Sequence, residues 1–155
     1  MRHVCAPIRP VTPTDLAEVL DLNNAAVPAV NALEAPDLDW FASVAHSFLV
    51  HPAADGSVAG FLIGLHGPGL AYESLNYAWF SARYEQFVYV DRVVVAASGR
   101  GAGVGRSLYD AFSARGREHG HRTLVAEVNL RPRNDGSLRF HERYGFRSVG
   151  EQDTE

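Results

Sequence analysis

Lysine is missing from these 155 residues, so all 14 basic side chains are arginine. Cysteine occurs once, at Cys5, which excludes an internal disulfide and a zinc site built on cysteines. No apolar run approaches the roughly 18 residues of a membrane-spanning helix. The start, M-R-H-V-C-A-P-I-R-P, lacks the apolar core of a secretory signal. No membrane partner is expected, and a cytoplasmic, reducing setting is the default. The absence of any Gly-Lys pair excludes a P-loop. A dinucleotide fingerprint fails as well, because Arg106 stands where the third glycine after Gly101 and Gly103 would be. The formal charge of −4 argues against nucleic acid as the main partner.

What the chain does have is 46% hydrophobic residues, enough for a real core, and a length that fits one domain spanning residues 1–155. Its most informative stretch runs from Val88 to Ala114. Val88, Val90, Val93, Val94 and Val95 favour a buried strand. Gly99, Gly101, Gly103 and Gly105 then clear side chains from a turn, and Leu108, Ala111 and Phe112 follow at helical spacing. A turn of that kind gathers unpaired N–H groups and the positive end of a helix dipole, which is a place for an anion, most often a phosphate. Ten of the 14 arginines fall between Arg100 and Arg147, on the half that would carry an anionic ligand.

Along the rest of the chain the patterning predicts alternating short elements. Val4 to Arg9 reads as a first strand, at an edge because of Pro7. Thr12, Pro13 and Asp15 form a helix start with a capping box, and the helix runs to about Ala25. Pro28 breaks it. Asn23, Asn24, Asn31 and Glu34 surround the break, as lining of an acceptor pocket or as a solvated connection. Asp37 is expected to cap a second helix. Ser47 to His51 and Ser57 to Leu65 form a hairpin around Asp55-Gly56. In the latter strand Gly60 and Gly64 mark weak points or bulges. Ala71 to Gln86 holds Tyr72, Tyr77, Trp79, Phe80 and Tyr84, either over the acceptor side or as a satellite core. Strands are expected at Phe87 to Val95, Thr123 to Val128 and Phe146 to Val149, with Gly120 ending one helix and Asn134 capping another that runs to Tyr144.

Two motifs carry a resemblance. Arg100, Gly101, Ala102, Gly103, Val104 and Gly105 fit [RQ]-x-x-G-x-[GA], which resembles the acetyl-CoA pyrophosphate loop of the GNAT N-acetyltransferase superfamily. Asn134, Ser137, Phe140, His141, Gly145 and Phe146 resemble the superfamily's second pattern, N-x-x-[AS]-x-x-[LF]-Y-x-x-x-G-F. The segments L-N-N-A-A-V-P-A-V-N and Y-V-D-R-V-V-V are also similar to a bacterial subgroup of uncharacterised predicted acetyltransferases. The resemblance implies an α/β acyl-CoA transferase fold, with a mixed, mostly antiparallel sheet and helices on both faces. It implies acetyl-CoA as co-substrate, no metal, and acetyl transfer to a primary amine of a small molecule or peptide. The alternative is a domain that binds acyl-CoA as a sensor or scaffold without turnover.

The same resemblance supplies roles. Backbone groups of Val93 and Val95, with Val94 between them, would hold the pantetheine arm. N–H groups from Arg100 to Gly105, with the charge of Arg100 or Arg106, would hold the pyrophosphate. Asn134, Ser137 and Phe140 would lie beside the cofactor, and a backbone N–H of the central strand would meet the oxyanion. His141 stands where the family has a tyrosine assigned as proton donor to the CoA thiolate. It is the first choice for general acid, against a histidine merely hydrogen-bonded to cofactor. Asp91 and Glu127 are the candidate bases, each of which could instead pair with an arginine. Asn24, Tyr72, Tyr77, Trp79 and Phe80 are the acceptor-side candidates. The family adds a strand beyond Phe146. Either the sequence is cut short or that strand is absent, and an unpaired edge would favour a homodimer.

Overall fold

The computed structural model describes residues 7–131 and 133–154. Val4, Cys5 and Ala6 of the expected first strand, and Pro132, lie outside the described residues. Within them the first strand is short, β1 (Arg9–Pro10), since Pro7 and Pro10 each withhold a ladder donor. The other elements follow in order: α1 (Leu16–Ala25), α2 (Ala35–Val44), β2 (Ser47–Pro52), β3 (Val58–Gly67), α3 (Leu75–Ser81), β4 (Phe87–Val95), α4 (Val104–Glu118), β5 (Leu124–Ala126) and α5 (Asp135–Tyr144). None of the described helices is long and apolar enough to cross a membrane.

The strands form one sheet in the order β1-β2-β3-β4-β5, antiparallel except for the parallel β4–β5 pair. The expected mixed, mostly antiparallel sheet is therefore present. Alternation along β3 sends Phe61, Ile63 and Leu65 to one face, where α1 and α2 cover them with Val19, Leu38 and Phe41. Leu62 points to the other face, against Leu108 and Phe112 of α4. Each of these fully buried side chains contributes about 1.5–3 kcal/mol of apolar burial.

Gly60 and Gly64 explain how closely α4 lies on β3. A Cβ on Gly60 would stand 2.8 Å from Val104 Cγ1, and one on Gly64 would fall inside the Phe112 ring. These glycines are where a helix presses on a strand. The register also shifts at Gly64: Ile63 pairs with Arg92 and Gly64 with Val90, which leaves Asp91 as the extra residue of a β-bulge.

Several predicted boundaries move. Asp37 is not the cap of α2. Glu34 is, and Asp37 sits three residues on, where its carboxylate accepts from the Glu34 N–H at 2.8 Å. The strand expected at Thr123 to Val128 pairs only over Leu124–Ala126. Phe146 to Val149 forms no strand. The tail turns across α3 instead, with Gly150 against the Trp79 ring and Gln152 Nε2 donating to Asn76 Oδ1 at 2.9 Å. Among the described residues the outer edge of β5 thus has no strand partner.

Candidate active site

The β4–β5 ladder ends at Val90 and Ala126. Beyond it the two strands part, and Asp91 and Glu127, the next residue of each, sit in the fork. On the other side of β4 the Ala96 N–H donates to Ala59 O on β3 at 2.8 Å. Alternation along an antiparallel ladder then turns Val94 toward β3 and the main-chain groups of Val93 and Val95 toward the open fork.

The fork leads to the start of α4. Gly101 and Gly103 both have φ of +79°, with open space where a side chain would project. Among the described residues the amides of Gly101, Gly103, Val104, Gly105 and Arg106 donate no hydrogen bond. These are the orphan donors of a helix start, aimed outward with the positive end of the dipole. A pyrophosphate fits such a cradle because it supplies the missing acceptors and the negative charge. Gly105 also lies near the Phe140 ring: a Cβ there would stand 3.9 Å from it. Asn134 is committed as the cap of α5, its Oδ1 accepting from Ser137 N–H at 3.1 Å.

The opposite mouth of the fork opens into a cavity of about 450 Å³ whose lining includes Asn31, Tyr72, Glu73, Tyr89, Asp91 and Glu127. A second cavity of about 260 Å³ adjoins it through Asn31, Tyr72 and Arg92, and is walled by Asp37, Trp40 and Phe41. The two carboxylates in the fork have different surroundings. Asp91 is nearly sealed, with a side chain 3% exposed. One of its oxygens accepts from Tyr72 OH at 2.5 Å and the other from Arg92 Nε at 2.8 Å. Arg92 spends its remaining nitrogens on Asn23 Oδ1, Asn31 O and Asn31 Oδ1. The arginine pair weighed for Asp91 therefore exists.

Glu127 has no arginine partner among the described residues. It accepts from Tyr89 OH at 2.6 Å. Crowding by protein raises its pKa to about 7, with the Asp91 charge adding to the rise and the Tyr89 hydrogen bond opposing it. The residue remains accessible to water through the cavity. It is an exposed carboxyl lining the cavity rather than a sealed one.

His141 sits apart from both cavities, 8% exposed. Its Nδ1 lies 2.7 Å from Ser137 O, which fixes that nitrogen as a donor. Its Nε2 then accepts from Tyr109 OH at 2.6 Å. Burial lowers its pKa, so the ring is neutral with both nitrogens used. In this arrangement neither ring nitrogen is free to donate a proton to a ligand.

The acceptor-side residues separate. Tyr72 lines both cavities. Tyr77 and Phe80 are buried with Phe87, Tyr89 and Val125 in a satellite core, and Trp79 packs on Phe80, Arg83 and the tail. The 71–86 segment thus supplies a cavity wall through Tyr72 and a satellite core through Tyr77 and Phe80. Asn24 lines neither cavity; its side chain holds the Leu33 backbone through two hydrogen bonds. Of the polar group around Pro28, Asn31 faces the cleft while Asn23 is wholly buried on Arg92. Tyr89 was not singled out from the sequence. Its place two residues before Asp91 in V-Y-V-D-R was the signal that would have found it.

Comparisons with known proteins agree with this fold. The crystal structure of a Trypanosoma brucei acetyltransferase is similar with a TM-score of 0.70 at 21% identity, covering 96% of each chain. An aminoglycoside N-acetyltransferase, AAC(6')-Iy, in complex with CoA matches with a TM-score of 0.73 at 19% identity, covering 96% of both. Ard1 from Thermoplasma volcanium matches with a TM-score of 0.74 at 23% identity, over 95% of this chain and 86% of that one. No curated protein matches by sequence. The model of the acetyltransferase (GNAT) family matches residues 16–146, and the chain belongs to that family.

Proposed function

We propose that the protein transfers an acetyl group from acetyl-CoA to a primary amine, with both substrates held together across the β4–β5 fork. The observation that carries this reading is the continuity of the fork. One end meets the unpaired amides of Gly101, Gly103, Val104, Gly105 and Arg106, and the other opens on a cavity lined by Glu127. A CoA chain laid along the open groups of Val93 and Val95 would bring its acyl end to the Asp91 bulge. AAC(6')-Iy supports the placement by analogy, since it has been solved with CoA and with a CoA bisubstrate analogue on the same fold.

Acetyl-CoA supplies the activated acyl group. The chain supplies position and proton handling. An amine is a nucleophile only when neutral, so a base must take its proton. Glu127 is that base: its pKa of about 7 suits both accepting and releasing a proton at neutral pH, and no arginine among the described residues competes for it. Asp91 has both oxygens occupied and acts as a fixed negative charge beside the amine. The Val93 N–H, facing the fork, would donate to the oxyanion, an interaction of about 3 kcal/mol in comparable sites.

Calorimetry with CoA and a thiol-release assay over an amine panel test this. Heat of CoA binding together with amine-dependent thiol release is the expected result. Absence of heat at millimolar CoA overturns the reading. Binding with no transfer to any amine would assign the protein to the non-catalytic alternative.

A further inference from the structure

We infer that the acceptor carries a second cationic group, so that the preferred substrate is a small diamine rather than a monoamine. The inference rests on the proposed function for the location of the reacting amine. Its own observation is the shape and charge of the two adjoining cavities.

The larger cavity holds Glu127 and Glu73 in addition to Asp91, and the smaller one holds Asp37. Among the described residues Arg92 is the only basic one lining either. Its charge is already matched by Asp91, and its guanidinium is spent on Asp91, Asn23 and Asn31. A carboxylate or phosphate on the acceptor would therefore find no free cation in the cleft. An ammonium would find uncompensated acids at both ends.

The smaller cavity has a second feature that selects for a cation. Trp40 and Tyr72 form an aromatic wall, their rings 5.2 Å apart at 35°. Phe41 beside them already carries the Arg92 guanidinium, 5.3 Å from its ring centre, which shows that these rings accept a positive charge. Asp37 stands at the same recess with one carboxylate oxygen used by the Glu34 N–H and the other without a hydrogen-bond partner among the described residues. Aromatic faces plus one carboxylate form a seat for an alkylammonium. Tyr72 joins the two ends, because its hydroxyl is bonded to Asp91 while its ring lines the smaller cavity. An elongated acceptor would thus react at Glu127 and rest its far nitrogen between Trp40, Tyr72 and Asp37.

The test compares α,ω-diaminoalkanes of three to six carbons with n-alkylamines and α,ω-amino alcohols of matched length. For the full chain with acetyl-CoA, kcat/KM is expected to favour the best diamine at least tenfold over both controls. That preference should shrink at least fivefold in Asp37→Asn, which keeps the acceptor for the Glu34 N–H, and in Trp40→Leu. Asp39→Asn, on the same helix but outside the cavity, should keep the preference. Equal use of diamines and monoamines, or a preference that survives Asp37→Asn and Trp40→Leu together, overturns the inference while leaving acetyl transfer standing. Should no amine be acetylated, calorimetry of the same diamines on the enzyme–CoA complex decides the point. Diamine binding that is lost in Asp37→Asn upholds it, and no difference from monoamines ends it.

Discussion

A proton-accepting Glu127 makes a quantitative demand on the pH profile. With a pKa of about 7, its carboxyl is about one-tenth ionised at pH 6, half at pH 7 and nine-tenths at pH 8. At saturating amine, kcat should rise close to tenfold per unit on the acid side and level off above about pH 7. Glu127→Gln removes the titrating group without changing its size. It should flatten that limb and lower kcat by about 10² to 10⁴. The neighbours of Glu127 set the position of the limb, and their effects have opposite signs. Tyr89 OH donates to the ionised form and holds the pKa down, so Tyr89→Phe should move the limb to higher pH. The charge of Asp91 pushes the pKa up, so Asp91→Asn should move it to lower pH. Thiol release followed from pH 5.5 to 8.5 measures all four enzymes. A flat wild-type profile, or a Glu127→Gln enzyme within threefold of wild type, refutes the assignment. Shifts of the same sign in the two neighbour variants refute the electrostatic account while sparing the base.

Further outcomes follow from the packing. Gly64→Ala drives a methyl group into the buried Phe112 ring and should cost about 1–3 kcal/mol in urea unfolding. Adding Phe112→Leu should recover part of that loss. His141→Ala leaves Tyr109 OH buried without a partner, a cost of about 1–3 kcal/mol, yet kcat measured on folded protein should stay within about threefold. A far larger loss of kcat would restore the acid role to His141. Burial, with the nearby charges of His119, His121, Arg115 and His66, holds His46 at a pKa of about 4. Its neutral form contributes stability that is fully present above the unfolded value of about 6.5 and is lost as pH falls from there toward 4. The thermal midpoint should drop across that window, and His46→Gln should flatten it.

How much of this was written locally in the chain can be judged residue by residue. The start of α4 and both ends of α5 were legible because turns and caps are local chemistry. Gly103 adopts a positive φ, Asn134 bonds three residues ahead, and Gly145 closes α5 in the left-handed region. The two carboxylates were legible as candidates, since each alternates with apolar residues along an expected strand. What separates their roles was not, because it comes from partners far along the chain. Asp91 is tied down by Tyr72 and, through Arg92, by Asn23 and Asn31, which lie more than 60 residues from Arg92. Glu127 is crowded by the surrounding protein, which raises its pKa, and the hydrogen bond that opposes the rise comes from Tyr89, 38 residues before it. The neutral state of His141 depends in the same way on Tyr109, 32 residues away. The pattern F-R-S-V at residues 146–149 alternates as a strand does, but a strand also needs a neighbour to bond. The segment instead follows its tail to Trp79 and Asn76. Periodicity assigns a face to each side chain, whereas pairing assigns its partner. The difference between the two acids is decided by partners: Tyr72 and Arg92 take both oxygens of Asp91, whereas Glu127 has no arginine partner among the described residues and its raised pKa comes from the protein crowded around it, against the pull of Tyr89.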